Sequence, residues 1–254
     1  MSSPIWTRCA GSSRIRPLAA RPFRLVEAQH LVSTRRLVDS AEEQVLLESL
    51  LERSKPTLPA EPDFAGLHFL LTTSFRYPPL RHGSRFSTRG ERSLWYGSRE
   101  LRTACAEAAY YRLVFLEGSR AELGRLDVEL SAFQTRVRTP RGVDLTAPPF
   151  AAHAERISSP ARYDESQALG AAMREAGVEA FRYRSARDPA GGVNVALFSP
   201  RAFAAKRPDT PQTWICSATR ERVEFQKKDY FERTTWVLER ATFLVGGKLP
   251  RPAP

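Results

Sequence analysis

The amino-acid sequence predicts an α+β protein in which helices flank a mixed or antiparallel sheet. Apolar residues recur at three- and four-residue steps between residues 99 and 112, the spacing of a helix with one buried face. Leu126, Val128 and Leu130 alternate with polar residues, which is the period of a strand. Strands and helices do not alternate regularly along the chain, as a doubly wound parallel sheet would require.

The composition is that of a globular protein. The chain has 254 residues, of which 42% are hydrophobic and 26% charged, so it can bury a core without disulfides or a metal. No run of about 18 apolar residues is present, and we expect no transmembrane helix and no membrane partner. The three cysteines are far apart, which supports neither a disulfide framework nor a zinc site and fits a reducing cytoplasm.

The formal net charge of +11 comes mainly from arginine. The planar guanidinium matches the oxygens of phosphates and carboxylates. A phosphate-bearing cofactor, a nucleic acid and an acidic partner protein all fit this charge. A GC-rich genome would also produce the excess of arginine, without any anionic ligand.

The N-terminal part is predicted to be separate from the main body. Residues 1 to about 38 are interpreted as an irregular basic arm. Ser40 and Glu43 form a capping-box pattern at the start of a helix, which Pro56 ends. The predicted domains are therefore a basic arm with a helical extension over 1–62 and a body over 63–254.

Several local patterns predict the elements of the body. The run 68–71 is expected to be a buried strand or turn and the run 94–97 another, and Ser98 is expected to cap the helix over 99–112. A turn is predicted at 139–142, and a second capping box at Asp164–Gln167 opens a helix that ends at Gly177. The remaining strands are predicted at 178–183, 193–198 and, as a final pair, within 221–245, with Phe225, Trp236 and Val237 facing inward.

Two arginines, a tyrosine and a glutamate are candidate ligand-binding residues in the first half of the body. Arg76 and Arg85 lie on sequence rich in Gly, Ser and Pro, where loop arginines can converge on a pyrophosphate. Tyr96 ends a short apolar run beside a glycine that would allow close approach of a ligand. Glu107 lies among small apolar helix residues, and an unpaired carboxylate there would be costly to bury.

Each of these residues also has an ordinary structural interpretation. Arg76 and Arg85 could be surface arginines of an arginine-rich chain, and Tyr96 could be a half-buried core tyrosine. Glu107 could be a surface residue paired along its helix. Ser185 and Asn194, in the second candidate segment, could be a solvated turn serine and an asparagine that satisfies loop backbone.

The ordered set of motifs resembles the RES family, named after its Arg, Glu and Ser. The motifs are Phe75-Arg76, Gly83-Ser84-Arg85-Phe86-Ser87, Trp95-Tyr96-Gly97-Ser98, Glu107 on an alanine-rich helix, and Ser185 ahead of Gly191-Gly192-Val193-Asn194. The resemblance covers roughly residues 67–205. It departs from the family at Ser84, at Phe86-Ser87, where Trp-Asn is usual, and at Arg184, where proline is frequent.

The resemblance implies a fold similar to the ADP-ribosyltransferase toxins and NAD⁺ as substrate, with no metal. Its implied catalytic residues are Arg85, Tyr96, Glu107 and Ser185. Arg76 and Asn194 are implied to bind NAD⁺ together with Arg85, Tyr96 and Ser185. The implied role is that of a cytoplasmic toxin neutralised by an Xre-like antitoxin, and the ADP-ribose acceptor could be a protein target, water or phosphate.

Two other functions are compatible with the sequence. The positive charge would suit a nucleic-acid-binding protein, although the sequence contains no recognisable basic helix or aromatic RNA-binding element. A RES-like scaffold that has lost activity and only binds a partner is the other alternative, because the sequence departs from the family around Arg85.

Overall fold

A computed structural model of the chain describes residues 3–28, 33–57, 59 and 61–251. The helices in these ranges are α1 Pro4–Arg8, α2 Ala41–Ser54, α3 Phe69–Arg76, α4 Leu101–Gly118, α5 Ala154–Ile157 and α6 Asp164–Glu175. The strands are β1 Arg16–Ala20, β2 Phe23–Glu27, β3 Trp95–Ser98, β4 Leu126–Gln134, β5 Val137–Asp144, β6 Ala180–Arg184, β7 Val193–Leu197, β8 Gln212–Ala218, β9 Arg222–Lys227 and β10 Thr235–Glu239.

The predicted α+β class is confirmed. The described strands form one sheet in the order β1-β5-β6-β7-β3-β2-β4-β8-β9-β10. Neighbouring strands are antiparallel except for β5 and β6, which run parallel. Helix α4 packs Leu113 against Trp214 and Phe225 of the sheet, whereas α6 packs Leu169 and Met173 against the part of the sheet that contains Phe181.

The prediction of an irregular N-terminal arm is wrong for residues 4–27. Strand β1 pairs with β5, and β2 pairs with β4 over five register positions. Ile5, Trp6 and Leu18 are buried, so the few apolar residues of this segment anchor it while most of its arginines remain at the surface. Residues 1, 2 and 29–32 of the predicted arm lie outside the described residues, and the domain division at residue 62 stays a prediction.

The predicted helix after Ser40 is confirmed as α2, including its capping box. The Ser40 hydroxyl accepts a hydrogen bond from the Glu43 amide at 3.1 Å, and the Glu43 carboxylate accepts one from the Ser40 amide at 3.2 Å. These bonds satisfy two amides that a helix N-terminus leaves without partners.

Two predictions around the first half of the body are wrong. Residues 69–76 form helix α3 rather than the predicted strand or turn, because His68 caps its first turn and Leu71 and Phe75, one turn apart, are buried. Ser98 does not cap a helix: it ends β3, and α4 begins at Leu101 after Glu100, which makes no side-chain cap. The Ser98 hydroxyl instead donates to the side chain of Asn194.

Three smaller predictions also differ from the structure. The predicted turn at 139–142 lies inside β5, and the capping box at Asp164–Gln167 is absent because Tyr163 occupies the N-cap without a side-chain bond. Val237 is exposed, since Trp236 on the opposite face of β10 stacks on Trp214 with ring centroids 4.8 Å apart.

None of the described helices has the length and apolar character needed to cross a membrane.

Candidate functional site

A cavity of about 280 Å³ opens where strands β2 and β3 diverge. The register of β2 against β3 contains one pair, Phe23 with Ser98, whereas β2 continues along β4 to Glu27. The first turns of α4 and the loop around Arg85 complete the walls of the cavity. The site is therefore built at a local opening of the sheet, where backbone and side chains of several elements face one space.

Glu107 presents its carboxylate to this cavity from α4. Its Oε1 accepts hydrogen bonds from the Ser185 hydroxyl at 2.7 Å and from the Asn194 amide nitrogen at 2.6 Å. In the described part of the chain no hydrogen bond is found at Oε2. The two donors therefore fix the orientation of the carboxylate and leave its second oxygen for a ligand.

Ser98 extends this arrangement by one residue. Its hydroxyl donates to Oδ1 of the Asn194 side chain at 2.6 Å, and this bond fixes which end of the side-chain amide faces Glu107. Both Ser98 and Asn194 are buried. Ser98 was expected to cap a helix, because the pairing of β3 with β7 that places it opposite Asn194 is a tertiary feature that local sequence does not contain.

Arg85 lines the cavity with a buried guanidinium. Its Nη1 donates to the carbonyl of Ser159 at 2.7 Å, and the group lies over the ring of Tyr163, 4.7 Å from the centroid. These partners are a dipole and a π-face rather than a carboxylate. Among the described residues no carboxylate pairs with Arg85, so its positive charge is held in place and is available to an anion.

Tyr96 lines the cavity with its ring while its hydroxyl is bound to the loop that carries Arg85. The hydroxyl forms a hydrogen bond with the Ser84 hydroxyl, at 2.9 Å. Burial raises the pKa of Tyr96 to about 12, so the phenol is neutral at physiological pH. Tyr96 therefore offers an aromatic surface to a ligand and holds the Arg85 loop.

The Arg85 loop also packs closely on α6, which gives a testable prediction. A Cβ added at Gly170 would lie 2.1 Å from the carbonyl oxygen of Phe86, so the loop backbone would have to move. We expect Gly170→Ala to lower the free energy of unfolding by about 1–3 kcal/mol, measured by urea denaturation. Gly118→Ala, at the end of α4 where a Cβ would meet open space, is the control and should not destabilise the protein. Equal stability of the two variants would contradict the close packing.

Arg24 is a cavity residue that the sequence analysis missed. Its Nη1 donates to the carbonyl of Tyr96 at 2.8 Å, across the opening between β2 and β3. Its Nε is buried and has no hydrogen-bond partner among the described residues. Burial lowers the pKa of Arg24 to about 10, and the side chain is therefore still charged at pH 7. The alternation of Phe23, Arg24 and Leu25 was the available signal for a strand.

Arg76 does not line the cavity, and its assignment to a phosphate is corrected. It ends α3, where its Nη1 forms an ion pair with Glu52 at 2.9 Å and its Nε donates to the carbonyl of Pro56. These contacts connect α3 to α2 and to the segment after it. The structure thus gives Arg76 a role in holding α2 against α3.

The cavity combines one carboxylate with two cations and an aromatic wall. Tyr163 and Tyr183 add rings beside Tyr96, and the Tyr96 and Tyr183 centroids are 6.4 Å apart. Such a site can hold an anionic group at the arginines, pack a planar ring and place a negative charge beside a developing cation. Among the described residues no three His, Cys, Asp or Glu side chains are grouped closely enough to hold a metal ion.

Comparison with known proteins identifies a family. The family model of the RES domain matches residues 60–218. A chain in the crystal structure of the M. tuberculosis MbcT–MbcA toxin–antitoxin complex is similar, with a TM-score of 0.47 and 12% sequence identity, over 82% of this chain and 90% of that chain. No curated protein matches the chain.

Proposed function

Because the chain belongs to the RES-domain family, we propose that it consumes NAD⁺ by cleaving the bond between nicotinamide and ribose. The observation that carries this proposal is the Glu107 carboxylate: Ser185 and Asn194 hold one oxygen, and the other, which has no hydrogen bond to any described residue, faces a cavity that two arginines also line. An oriented anion beside arginines that pair with no carboxylate of the described residues suits a substrate that has a pyrophosphate at one end and becomes cationic at the other.

The chemistry requires stabilisation of charge more than proton transfer. When the C1′–N bond breaks, its electron pair goes to the nicotinamide nitrogen, and the ribose acquires oxocarbenium character, as in glycoside hydrolysis. Nicotinamide is cationic in NAD⁺ and leaves as a neutral molecule, so no general acid is needed. The protein has to hold the pyrophosphate, orient the ring and place negative charge near the ribose.

The cavity residues fit these tasks. Arg85 and Arg24 would bind the pyrophosphate oxygens, and Tyr96 would pack on the nicotinamide or the ribose. The free oxygen of Glu107 would accept from a ribose hydroxyl and stabilise the cation. Ser185 and Asn194 would act through Glu107, because their hydrogen bonds go to its carboxylate.

We further propose that the activity is that of a cytoplasmic toxin neutralised by an Xre-like antitoxin, as membership of the RES family suggests. The ADP-ribose would pass to a protein target, to water or to phosphate. The site residues that favour cleavage of NAD⁺ do not distinguish these acceptors, since they act on the bond that breaks and not on the one that forms.

One experiment tests the cleavage and identifies the acceptor. The purified protein is incubated with NAD⁺ labelled in the adenylate part, in buffer, in phosphate and in bacterial lysate, and free nicotinamide is measured in each. We expect nicotinamide release, with the label on free ADP-ribose for hydrolysis, on a phosphorylated ADP-ribose for phosphorolysis or on a protein band for transfer. Undiminished NAD⁺ under all three conditions would overturn the proposal.

A further inference from the structure

The loop between β6 and β7 contacts α4 at two points that lie one helical turn apart. Ser185 donates to Glu107, and Asp188 accepts a hydrogen bond from Thr103 at 2.7 Å. Thr103 and Glu107 are four residues apart and therefore lie on the same face of the helix. The loop over residues 185–192 thus rests along one side of α4, with the candidate catalytic carboxylate at one contact and Thr103 at the other.

Asp188 is unusual because its carboxylate is buried, with its side chain 1% exposed. Oδ2 accepts from the Thr103 hydroxyl, and Oδ1 accepts from the Ala190 amide at 3.0 Å and from Arg102 at 3.2 Å. Burying a carboxylate is costly unless such donors compensate it. Thr103, Ala190 and Arg102 supply such donors to Asp188 at the contact between the loop and α4.

Backbone amides of the loop connect Asp188 to the Ser185 hydroxyl. The Ser185 hydroxyl accepts hydrogen bonds from the amides of Arg187 at 3.1 Å and Asp188 at 3.0 Å, and the Ser185 amide donates to the carbonyl of Gly192 at 2.7 Å. With both amides at its oxygen, the hydroxyl directs its proton to Glu107. Displacement of Asp188 would move the two amides and loosen that orientation.

Gly192 shows how closely the loop and the helix approach each other. A Cβ at this position would lie 2.1 Å from the Thr103 hydroxyl oxygen and 2.4 Å from Oδ2 of Asp188. Only glycine therefore permits the hydrogen bond between these two side chains.

We infer that Thr103 and Asp188 are positioning residues that set the orientation of the Glu107 carboxylate through Ser185. The inference rests on the proposed function for its catalytic consequence. Thr103 and Asp188 do not touch the substrate. Their hydrogen bond fixes the position of the loop relative to α4, and the Ser185 hydroxyl then fixes the orientation of the Glu107 carboxylate.

The kinetic test uses the isosteric variant Thr103→Val in the full chain. We expect kcat for NAD⁺ cleavage to fall about tenfold while the Kd for NAD⁺ is unchanged, and Thr103→Ser, which keeps the hydroxyl, to restore kcat. In a Ser185→Ala background Thr103→Val should have no further effect, because the path to Glu107 is already broken. If Thr103→Val lowers kcat by the same factor in the Ser185→Ala background as in the parent, the inference is wrong.

A matched control and a second measurement separate positioning from stability. Thr139→Val also removes a buried threonine hydroxyl that donates to an acid, Glu179, but on β5 and outside the cavity lining. It should lower stability without changing kcat. Amide hydrogen exchange at Arg187 and Asp188 should accelerate in Thr103→Val and not in Thr139→Val. This result is expected even if the chain does not turn over NAD⁺, and unchanged exchange in Thr103→Val would refute the inference independently of the proposed function.

Discussion

Glu107→Gln is expected to lower kcat for NAD⁺ cleavage by about 10²–10³-fold and to abolish growth arrest on expression. Glutamine has nearly the same shape and keeps an oxygen that can accept the hydrogen bonds of Ser185 and Asn194. It lacks the negative charge that would face the ribose cation. The variant therefore tests the charge of residue 107 with little change in packing, and the measurement is single-turnover release of nicotinamide.

The control is Glu117→Gln on the same helix. Glu117 is partly exposed and pairs with Arg240 at the surface, where an ion pair contributes little. This variant should retain wild-type turnover and toxicity. The urea concentration at the midpoint of unfolding should be the same for both variants as for the parent, within about 0.3 M. A Glu107→Gln protein that remains folded, cleaves NAD⁺ at the normal rate and arrests growth would remove Glu107 from the mechanism.

The site residues that stand out in the local sequence could be predicted without the structure. Arg85, Tyr96 and Glu107 were selected from a glycine-rich loop, the end of a short strand and an unusual acid on an apolar helix. The structure brings these three to one cavity, and Ser185 and Asn194, which the family resemblance implied, contact Glu107 there. Their catalytic roles remain predictions, but their proximity is a property of the fold.

The remainder depends on tertiary contacts that the sequence patterns do not encode. Arg76 shares its loop-like context with Arg85, and its pairing with Glu52 depends on where α2 lies. Ser98 was assigned to a cap because serine often precedes a helix, whereas the register of β3 against β7 determines its partner. Strands β1 and β2 were not predicted, because their few alternating apolar residues are interrupted by arginines and prolines.

Arg24→Gln is expected to weaken NAD⁺ binding about 10–100-fold, because one or more charge-assisted hydrogen bonds to phosphate would be lost at about 1.5–3 kcal/mol each. Arg24 lies in β2, before the first residue of the RES-domain match. Its guanidinium already bonds the carbonyl of Tyr96 and has a buried nitrogen without a described partner. The effect should appear in the Kd for NAD⁺, measured by calorimetry on a cleavage-deficient Glu107→Gln background.

The control for Arg24 is Arg21→Gln, three residues earlier. Arg21 is exposed and pairs with Asp209, so its loss should leave the Kd unchanged. The pKa of about 10 adds a second criterion: binding by the parent should weaken as the pH rises through that value, since deprotonation removes the cation, and Arg24→Gln should not show this loss. If Arg24→Gln folds and binds NAD⁺ as tightly as the parent, the pyrophosphate lies elsewhere in the cavity and β2 serves only to complete the sheet.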